Sequence, residues 1–203
     1  MIICITGTPG TGKTVLAKRL QKMLPAKVLD ANALLVSEGL TAGYDRARKT
    51  YEIDPKTFKK RVLREIKAFN KYIQVLQVSK QLGKRSKNID KEIGKTKAFF
   101  DACIKQPSLF SLKLRTNLAK THSQHHQSPP LILLIDSHLS HLIPPQKADY
   151  CIVLNTSLKK LARRLHKRGY LSLKIKENLE AEAFESCKIE AQQAGHKIIT
   201  LKT

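Results

Sequence analysis

The chain has 203 residues, of which 41% are hydrophobic; this suffices for one compact domain, with or without a large insertion, and excludes a disordered protein. Lys and Arg number 38 against 16 Asp and Glu, and the net charge of +22 favours polyanions such as nucleotides, RNA or an anionic membrane surface. No apolar stretch approaches the roughly 18 residues of a membrane-spanning helix, and no signal peptide is visible. We therefore expect a soluble protein with no membrane partner, cytoplasmic, or nuclear in a eukaryote.

Four cysteines are present, and none of them forms a C-x-x-C pair, which argues against a structural zinc site. Cys4 and Cys151 lie within apolar runs, where cysteine acts as a small core residue. Free thiols indicate a reducing, intracellular environment.

The first thirty residues alternate between strand and helix patterns. Residues 2–6 form an apolar run typical of a buried strand, and residues 15–24 have apolar side chains at helical spacing up to Pro25. Residues 27–29 predict a second short strand, with Asp30 as a turn residue or helix cap.

The last part of the chain repeats this alternation. We predict strands at residues 131–135, 150–154 and 197–201, a very basic helix at 158–165 and a long helix at 177–194. Strands that alternate with helices and read as continuous apolar runs predict an α/β fold with a parallel sheet covered on both faces.

The loop after the first strand matches the phosphate-binding sequence G-x-x-x-x-G-K-[ST] at every fixed position: Gly7, Thr8, Pro9, Gly10, Thr11, Gly12, Lys13 and Thr14. The glycines let the backbone N–H groups turn inward around a β-phosphate. Lys13 supplies positive charge to the β- and γ-phosphates, and Thr14 offers its hydroxyl to Mg²⁺. A helix beginning near Lys13 directs its N-terminal dipole at the same anion, so the sequence predicts bound ATP and Mg²⁺.

An apolar run that ends in an acidic residue supplies the second half of such a site. Residues 131–135 lead directly into Asp136, which would hold Mg²⁺ directly or through water, although an Asp here can also simply cap the strand. His138 follows two residues later and could orient a water, contact a phosphate or shuttle a proton. His141 is a weaker candidate, more typical of a structural histidine.

Four motifs narrow the class of phosphate-loop protein. They are the phosphate loop itself, Gly43-Tyr44-Asp45 with residues 51–54, Asp136-Ser137-His138, and the run R-L-x-x-R-G-Y-x-x-x-K-I-x-E-N-x-x-A-E from Arg164 to Glu182. In this order they resemble the atypical adenylate kinases of the isoenzyme-six type, found in archaea and in eukaryotic nuclei. The resemblance covers residues 1–58 and 130–203.

The resemblance implies a nucleoside monophosphate kinase fold, with a five-stranded parallel sheet and helices on both faces. It implies a core formed by residues 1–59 and 129–203, ATP at the phosphate loop, AMP at residues 30–58 and a lid at residues 165–176. It also implies a role in maturation of the small ribosomal subunit, through a ribosomal protein partner.

Positive charge near the lid agrees with phosphoryl transfer, which needs cations around the transferring group. Arg164 and Arg168 are four residues apart and can project from one helix face. We predict Arg168 as a phosphate contact and Arg164 as its partner, although a solvated basic helix face is the alternative. Asp45 and Asp54 could either accept from nucleotide hydroxyls or pair with the lid arginines.

Residues 60–128 depart from the family pattern and carry 16 Lys or Arg against 4 Asp or Glu, a net charge of +12. We predict an appended basic insertion, mostly helical, as a hairpin or small bundle. It would contact rRNA phosphates in a salt-dependent way, or be a solvated insertion without a partner. The histidines at 122, 125 and 126 fit a disordered polar linker better than a metal site.

Two main functions follow from these patterns, and a kinase for another small acceptor stays open as a third, because the phosphate loop does not identify the acceptor. The first is Mg²⁺-dependent phosphoryl transfer from ATP to AMP, with ATPase activity. The second is an ATP-driven ribosome assembly factor that binds rRNA or a ribosomal protein and has little kinase turnover.

Overall fold

The computed structural model describes residues 1–46, 48, 50–78, 83–106, 108, 110 and 130–203. Within these residues the strands are β1 (Ile2–Thr6), β2 (Ala26–Asp30), β3 (Gly43–Asp45), β4 (Thr50–Glu52), β5 (Ile132–Asp136), β6 (Tyr150–Asn155) and β7 (Ile198–Lys202). Five of them form a parallel sheet in the order β2-β5-β1-β6-β7, and β3 and β4 form a separate antiparallel hairpin. The predicted five-stranded α/β fold is confirmed.

The helices of the described residues are α1 (Lys13–Met23), α2 (Ala31–Ser37), α3 (Pro55–Val78), α4 (Gly83–Lys105), α5 (Leu158–Lys167), α6 (Ser172–Ala183) and α7 (Ser186–Gln193). Asp30 caps α2, because its Oδ1 accepts a hydrogen bond from the Ala33 N–H at 2.9 Å. Two short 3₁₀ turns, Ser140–Leu142 and Pro145–Lys147, connect β5 to β6.

The register of the sheet brings three parts of the chain to one edge. Asp30 pairs with Asp136 across β2 and β5, and Ile5 pairs with Asp136 across β1 and β5. The loop that begins at Gly7 therefore starts beside both carboxylates. The carboxyl ends of parallel strands are the usual ligand edge of an open α/β sheet.

Helices α3 and α4 cover opposite faces of this sheet. Phe58, Val62 and Ile66 of α3 are buried in one apolar cluster with the sheet, whereas Phe100 and Cys103 of α4 are buried in the other. Burial of each such phenylalanine stabilises the fold by about 2–3 kcal/mol. The basic segment therefore supplies core residues, and these two helices do not form the hairpin or small bundle that we expected.

The expected boundary at residue 60 also falls inside a helix, because α3 begins at Pro55. Asp54 caps this helix: its Oδ2 accepts hydrogen bonds from the Thr57 N–H and the Thr57 hydroxyl, both at 2.8 Å. A local cap therefore fixes the start of the helix. Composition instead placed the boundary of the insertion later, where the lysines become frequent.

The prediction of one long helix at residues 177–194 is wrong. Helix α6 begins earlier, at Ser172, and α7 starts after a break at Phe184 and Glu185. Glu185 has a φ of +49° and accepts a hydrogen bond from the Asn155 side chain at 2.9 Å. Contact with the end of β6 thus interrupts a sequence that has a continuous helical pattern.

The four cysteines, all within the described residues, form no disulfide, and Cys4, Cys103 and Cys151 are buried, as expected for Cys4 and Cys151. No helix of the described residues has the length and apolarity to cross a membrane. The histidines at 122, 125 and 126 lie outside the described residues.

Candidate nucleotide-binding site

The phosphate loop depends on glycine at two positions for different reasons. Gly7 and Gly10 both have positive φ, at +135° and +97°. A Cβ on Gly7 would collide with the Leu154 carbonyl oxygen, and a Cβ on Gly10 would lie 2.8 Å from Leu161 Cδ1. The loop is therefore held between the end of β6 and helix α5, and only glycine fits both the backbone conformation and the space.

Lys13 lies over the opening of the loop, where its ammonium donates to the Gly7 carbonyl at 2.6 Å and to the Thr8 carbonyl at 3.1 Å. The pKa of Lys13 is lowered to about 8, mainly by burial and to a smaller extent by Arg168, against the opposing influence of Asp136. Neutral carbonyls do not balance the charge of a buried ammonium. The loop is therefore prepared electrostatically for an anion.

Asp136 is 4% exposed at the end of β5, and burial raises its pKa, while a hydrogen bond from the Thr14 side chain and the charge of Lys13 lower it. The charge of Asp30 raises it further. The Thr14 hydroxyl and the Asp136 carboxylate are hard oxygen donors that suit Mg²⁺, which typically takes one or two protein ligands besides phosphates and water. Among the described residues no group of three or more His, Cys, Asp or Glu could hold a metal.

His138 is fixed by a directed chain of hydrogen bonds. The Leu139 N–H donates to Ser137 Oγ at 3.0 Å, and Ser137 Oγ donates to Asn32 Oδ1 at 2.8 Å. This orients the Asn32 amide so that its Nδ2 donates to His138 Nδ1 at 3.3 Å, which leaves the ring proton on Nε2.

Burial lowers the pKa of His138 to about 4, helped by the charges of Lys13, His141 and Lys174. The ring is therefore neutral at physiological pH and presents an N–H donor. Of the three roles we predicted, this favours a contact with phosphate or water over a proton shuttle, which requires a pKa nearer to neutrality.

The two arginines that we predicted to act near the lid lie in different places. Arg168 caps the end of α5 and lines the cleft, and its contact with a phosphate stays a prediction. Arg164 instead donates from one NH1 to the Gly10 carbonyl at 3.2 Å, the Thr11 carbonyl at 3.4 Å and Thr203 Oγ1 at 3.2 Å. Arg164 therefore supports the phosphate loop from outside, whereas we predicted that it would partner Arg168 at the nucleotide.

The opposite wall of the cleft comes from α2 and the β3–β4 hairpin, and the whole cleft has a volume of about 660 Å³. Arg48, between β3 and β4, lines this wall and forms ion pairs with Asp45 at 2.5 Å and Glu177 at 2.7 Å. Its hydrogen bonds lower the pKa of Glu177. The predicted arginine partner of Asp45 thus exists, but it is Arg48 of the hairpin.

Comparison with known proteins agrees with this geometry. Residues 3–185 match the sequence profile of the AAA domain family. The chain belongs to the AAA domain family.

Relatives of this AAA domain include three archaeal proteins, each described as "Putative adenylate kinase". The protein of Methanosarcina mazei is 29% identical over 203 residues, which are 100% of this chain and 79% of the relative. The protein of Methanocaldococcus jannaschii is 28% identical, over 98% of this chain and 77% of the relative. The protein of Pyrococcus furiosus is 27% identical, over 100% of this chain and 75% of the relative.

Among solved structures, the crystal structure of TT1252 from Thermus thermophilus matches 100% of this chain and 88% of that chain. The two sequences are 19% identical, and the TM-score is 0.41.

Most of the predicted site residues of this AAA domain meet at the cleft. Its lining includes Pro9, Gly10, Gly12, Lys13, Thr14, Asp136, His138 and Arg168. Thr8 and Thr11 are buried, and the Thr11 hydroxyl donates to the Thr8 carbonyl at 2.9 Å. His141 is 3% exposed and lies between Thr6 Oγ1 and Glu190 Oε2, at 2.8 and 2.6 Å, which is consistent with a structural role.

Sequence reasoning missed Asn32, Arg48 and Glu177 of this AAA domain. Asn32 belongs to a seven-residue helix and Arg48 to the four-residue connection between β3 and β4, and neither short segment has a clear periodic pattern. Arg48 lies in a basic stretch with Arg46 and Lys49, and composition does not distinguish it from its neighbours.

Proposed function

We propose that this chain is an adenylate kinase of the isoenzyme-six type, which transfers the γ-phosphoryl group of ATP to AMP with Mg²⁺. The observation that carries this proposal is one cleft with two walls. The phosphate loop, Asp136 and Arg168 form one wall, while α2 and the β3–β4 hairpin form the other. A transferase for two phosphorylated substrates needs both to lie in one space.

The first wall provides the chemistry expected for ATP. The backbone of the phosphate loop and Lys13 would hold the phosphates, and Thr14 and Asp136 would hold Mg²⁺, which neutralises charge on the phosphates. Arg168 and the Nε2–H of His138 face the same space and can stabilise charge that develops on the transferring group.

The relatives described as "Putative adenylate kinase" support AMP as the acceptor. The second wall also suits a nucleoside monophosphate. It presents Arg48 for a phosphate, and Tyr51, Ile53 and Val36 as apolar or aromatic surface for a base.

The test is formation of ADP from ATP and Mg²⁺, with and without AMP, for the wild type, Lys13→Ala and Lys18→Ala. Lys18 is an exposed residue of the same helix and serves as the matched control. We expect AMP to stimulate ADP formation strongly in the wild type and in Lys18→Ala, and the stimulation to vanish in Lys13→Ala. Slow ATP hydrolysis that is indifferent to AMP would contradict the kinase proposal.

A second candidate is an ATP-driven ribosome assembly factor, and the exposed face of α3 favours it. Lys56, Lys60, Arg64, Lys67 and Lys71 recur at intervals of three or four residues, so they form one basic stripe along the helix. All five are exposed, and none has an ion pair with any residue that the structure describes. Cations spaced by one helical turn can follow successive phosphates of an RNA strand.

Binding of a single-stranded RNA across a salt series would test this candidate. Each cation that contacts a phosphate contributes about 0.7 to the slope of log affinity against log salt. Replacing Lys60, Arg64 and Lys67 by Gln should therefore reduce the slope by about 2. Replacing Lys91 and Lys95 of α4 by Gln should leave it unchanged. Hydrolysis stimulated by rRNA or a ribosomal protein, and indifferent to AMP, would place the assembly function first.

A further inference from the structure

Arg48 joins the two sides of the cleft. Its Nε donates to both carboxylate oxygens of Glu177 at 3.1 Å, and its NH2 donates to Oε1 at 2.7 Å. Glu177 belongs to helix α6, whose first residues overlap the predicted lid at 165–176, whereas Arg48 belongs to the hairpin. The Arg48 guanidinium also donates from NH1 to Asp45 Oδ2, and the Arg48 backbone N–H donates to Asp45 Oδ1 at 2.9 Å.

The second wall has one positive side chain among its described lining residues, and that side chain is Arg48. The other members of this wall are neutral or acidic: Asp30, Asn32, Ala33, Val36, Thr50, Tyr51, Glu52 and Ile53. The remaining cations of the cleft, Lys13, Arg168 and Lys174, come from the opposite side. A phosphate monoester bound against α2 and the hairpin therefore has one cation on its own wall.

The partners of Arg48 differ in how firmly they can hold it. The Asp45 side chain is 13% exposed and lies three residues away, so it orients the guanidinium locally. The Glu177 side chain is 38% exposed and comes from a different element. A half-exposed ion pair is screened by water and salt, whereas a phosphate dianion offers the same fork of two oxygens with more charge.

We propose that Arg48 binds the phosphate of the acceptor nucleoside monophosphate, and that Glu177 occupies this guanidinium until the acceptor displaces it. This inference rests on the proposed kinase function. Asp45 is a positioning residue that keeps the guanidinium directed at the cleft. The exchange also releases α6 from the hairpin, so that acceptor binding frees the lid region that carries Arg168 and Lys174.

The decisive experiment compares Arg48→Ala, Arg48→Lys and Glu177→Gln with the wild type, by calorimetric AMP binding and by the KM for AMP and for ATP. Arg48→Ala should weaken AMP binding about tenfold or more, with the KM for ATP within about twofold. Arg48→Lys keeps the charge but loses the two parallel donors of the guanidinium, so its AMP affinity should lie between those of the wild type and Arg48→Ala. Glu177→Gln removes the competitor and should tighten AMP binding a few-fold.

Glu65→Gln is the matched control, because Glu65 forms a comparable ion pair with Arg61 on α3, at 2.8 Å and away from the cleft. It should leave both KM values unchanged, and thermal midpoints should show that all variants fold. AMP affinity that is unchanged in Arg48→Ala would overturn the inference. So would Glu177→Gln if it weakened AMP binding as much as Arg48→Ala, because the ion pair would then be structural.

The binding measurement separates this inference from the proposed function. Wild-type protein that binds AMP through Arg48 but forms no extra ADP would contradict the kinase proposal and leave the assignment of Arg48 standing. Wild-type protein that forms ADP with AMP, but does so equally well in Arg48→Ala, would leave the kinase proposal standing and remove Arg48 from it.

Discussion

The two walls of the cleft are built in different ways. The wall that we propose for ATP, here called the ATP side, consists of one continuous loop and the end of β5, and Gly10, Thr11 and Asp136 are buried there. The wall that we propose for the acceptor, here called the acceptor side, consists of α2 and a short hairpin. The hairpin is tied to α6 by Arg48 and Glu177, both more than one third exposed. One wall is fixed by the core, and the other is held by polar contacts that water can replace.

This difference suggests a division of labour. Groups that stabilise a transition state act best when they are already in place, and burial keeps them there. Groups that admit and release a substrate belong to less stable parts of a fold, with few buried apolar contacts. Substitutions on the ATP side should therefore change the rate or the stability most, and those at the acceptor side should change affinity.

The largest effect is expected for Asp136→Asn. Loss of the carboxylate should reduce ADP formation about 100- to 1000-fold, because a preorganised charge in the site is removed. Burial raises the pKa of Asp136, so the folded protein disfavours its charged form, and the thermal midpoint should stay equal or rise. Asp90→Asn on the exposed face of α4 is the control. A normal rate, or a large loss of stability, would contradict this assignment.

The next largest effect is expected for Gly10→Ala, on stability. A left-handed backbone costs about 1–2 kcal/mol for alanine, and overpacking against Leu161 and Leu165 adds about 1–3 kcal/mol. Gly39→Ala is the comparison, since Gly39 has a φ of +67° and open space around it. Gly39→Ala should lower the free energy of unfolding only by the cost of the left-handed backbone, about 1 kcal/mol. Denaturant unfolding measures both, and equal losses would show that contact with α5 does not matter.

A smaller effect is expected from pH. The pKa of Lys13 is lowered to about 8, so its ammonium loses the proton as the pH rises through that value, and ATP loses a positive partner. ATP should bind about tenfold more weakly at pH 9 than at pH 7. Arg stays charged throughout this range, so Lys13→Arg should have a flat profile. A flat wild-type profile would contradict the lowered pKa.

The smallest effect separates support of the loop from contact with the nucleotide. Arg164→Ala removes donors to the Gly10 and Thr11 carbonyls, so it should cost about 1 kcal/mol of stability and weaken ATP binding only a few-fold. Arg163→Ala, on the exposed face of the same helix, should change neither. A loss of ATP affinity much larger than tenfold would instead favour the role that we first predicted for Arg164, as the partner of Arg168 at the nucleotide.

Much of the ATP side could be predicted because its signals are local. The phosphate loop, the strand that precedes it and Asp136 lie in runs of a few residues whose chemistry does not depend on distant neighbours. The acceptor side could not be predicted in the same way. Arg48 and Glu177 are 129 residues apart, and each looks like an ordinary surface charge until the fold brings them together.

The sequence by itself determined the parallel α/β sheet and the phosphate loop, because periodic apolar runs and a fixed glycine pattern are properties of short segments. Only the tertiary structure decided that α3 and α4 cover opposite faces of the sheet, that the last helix breaks at Glu185, and that Arg164 supports the loop. Each of these depends on which distant surface a segment meets. That choice is made by packing and by hydrogen bonds between elements, which a pattern along the chain does not contain.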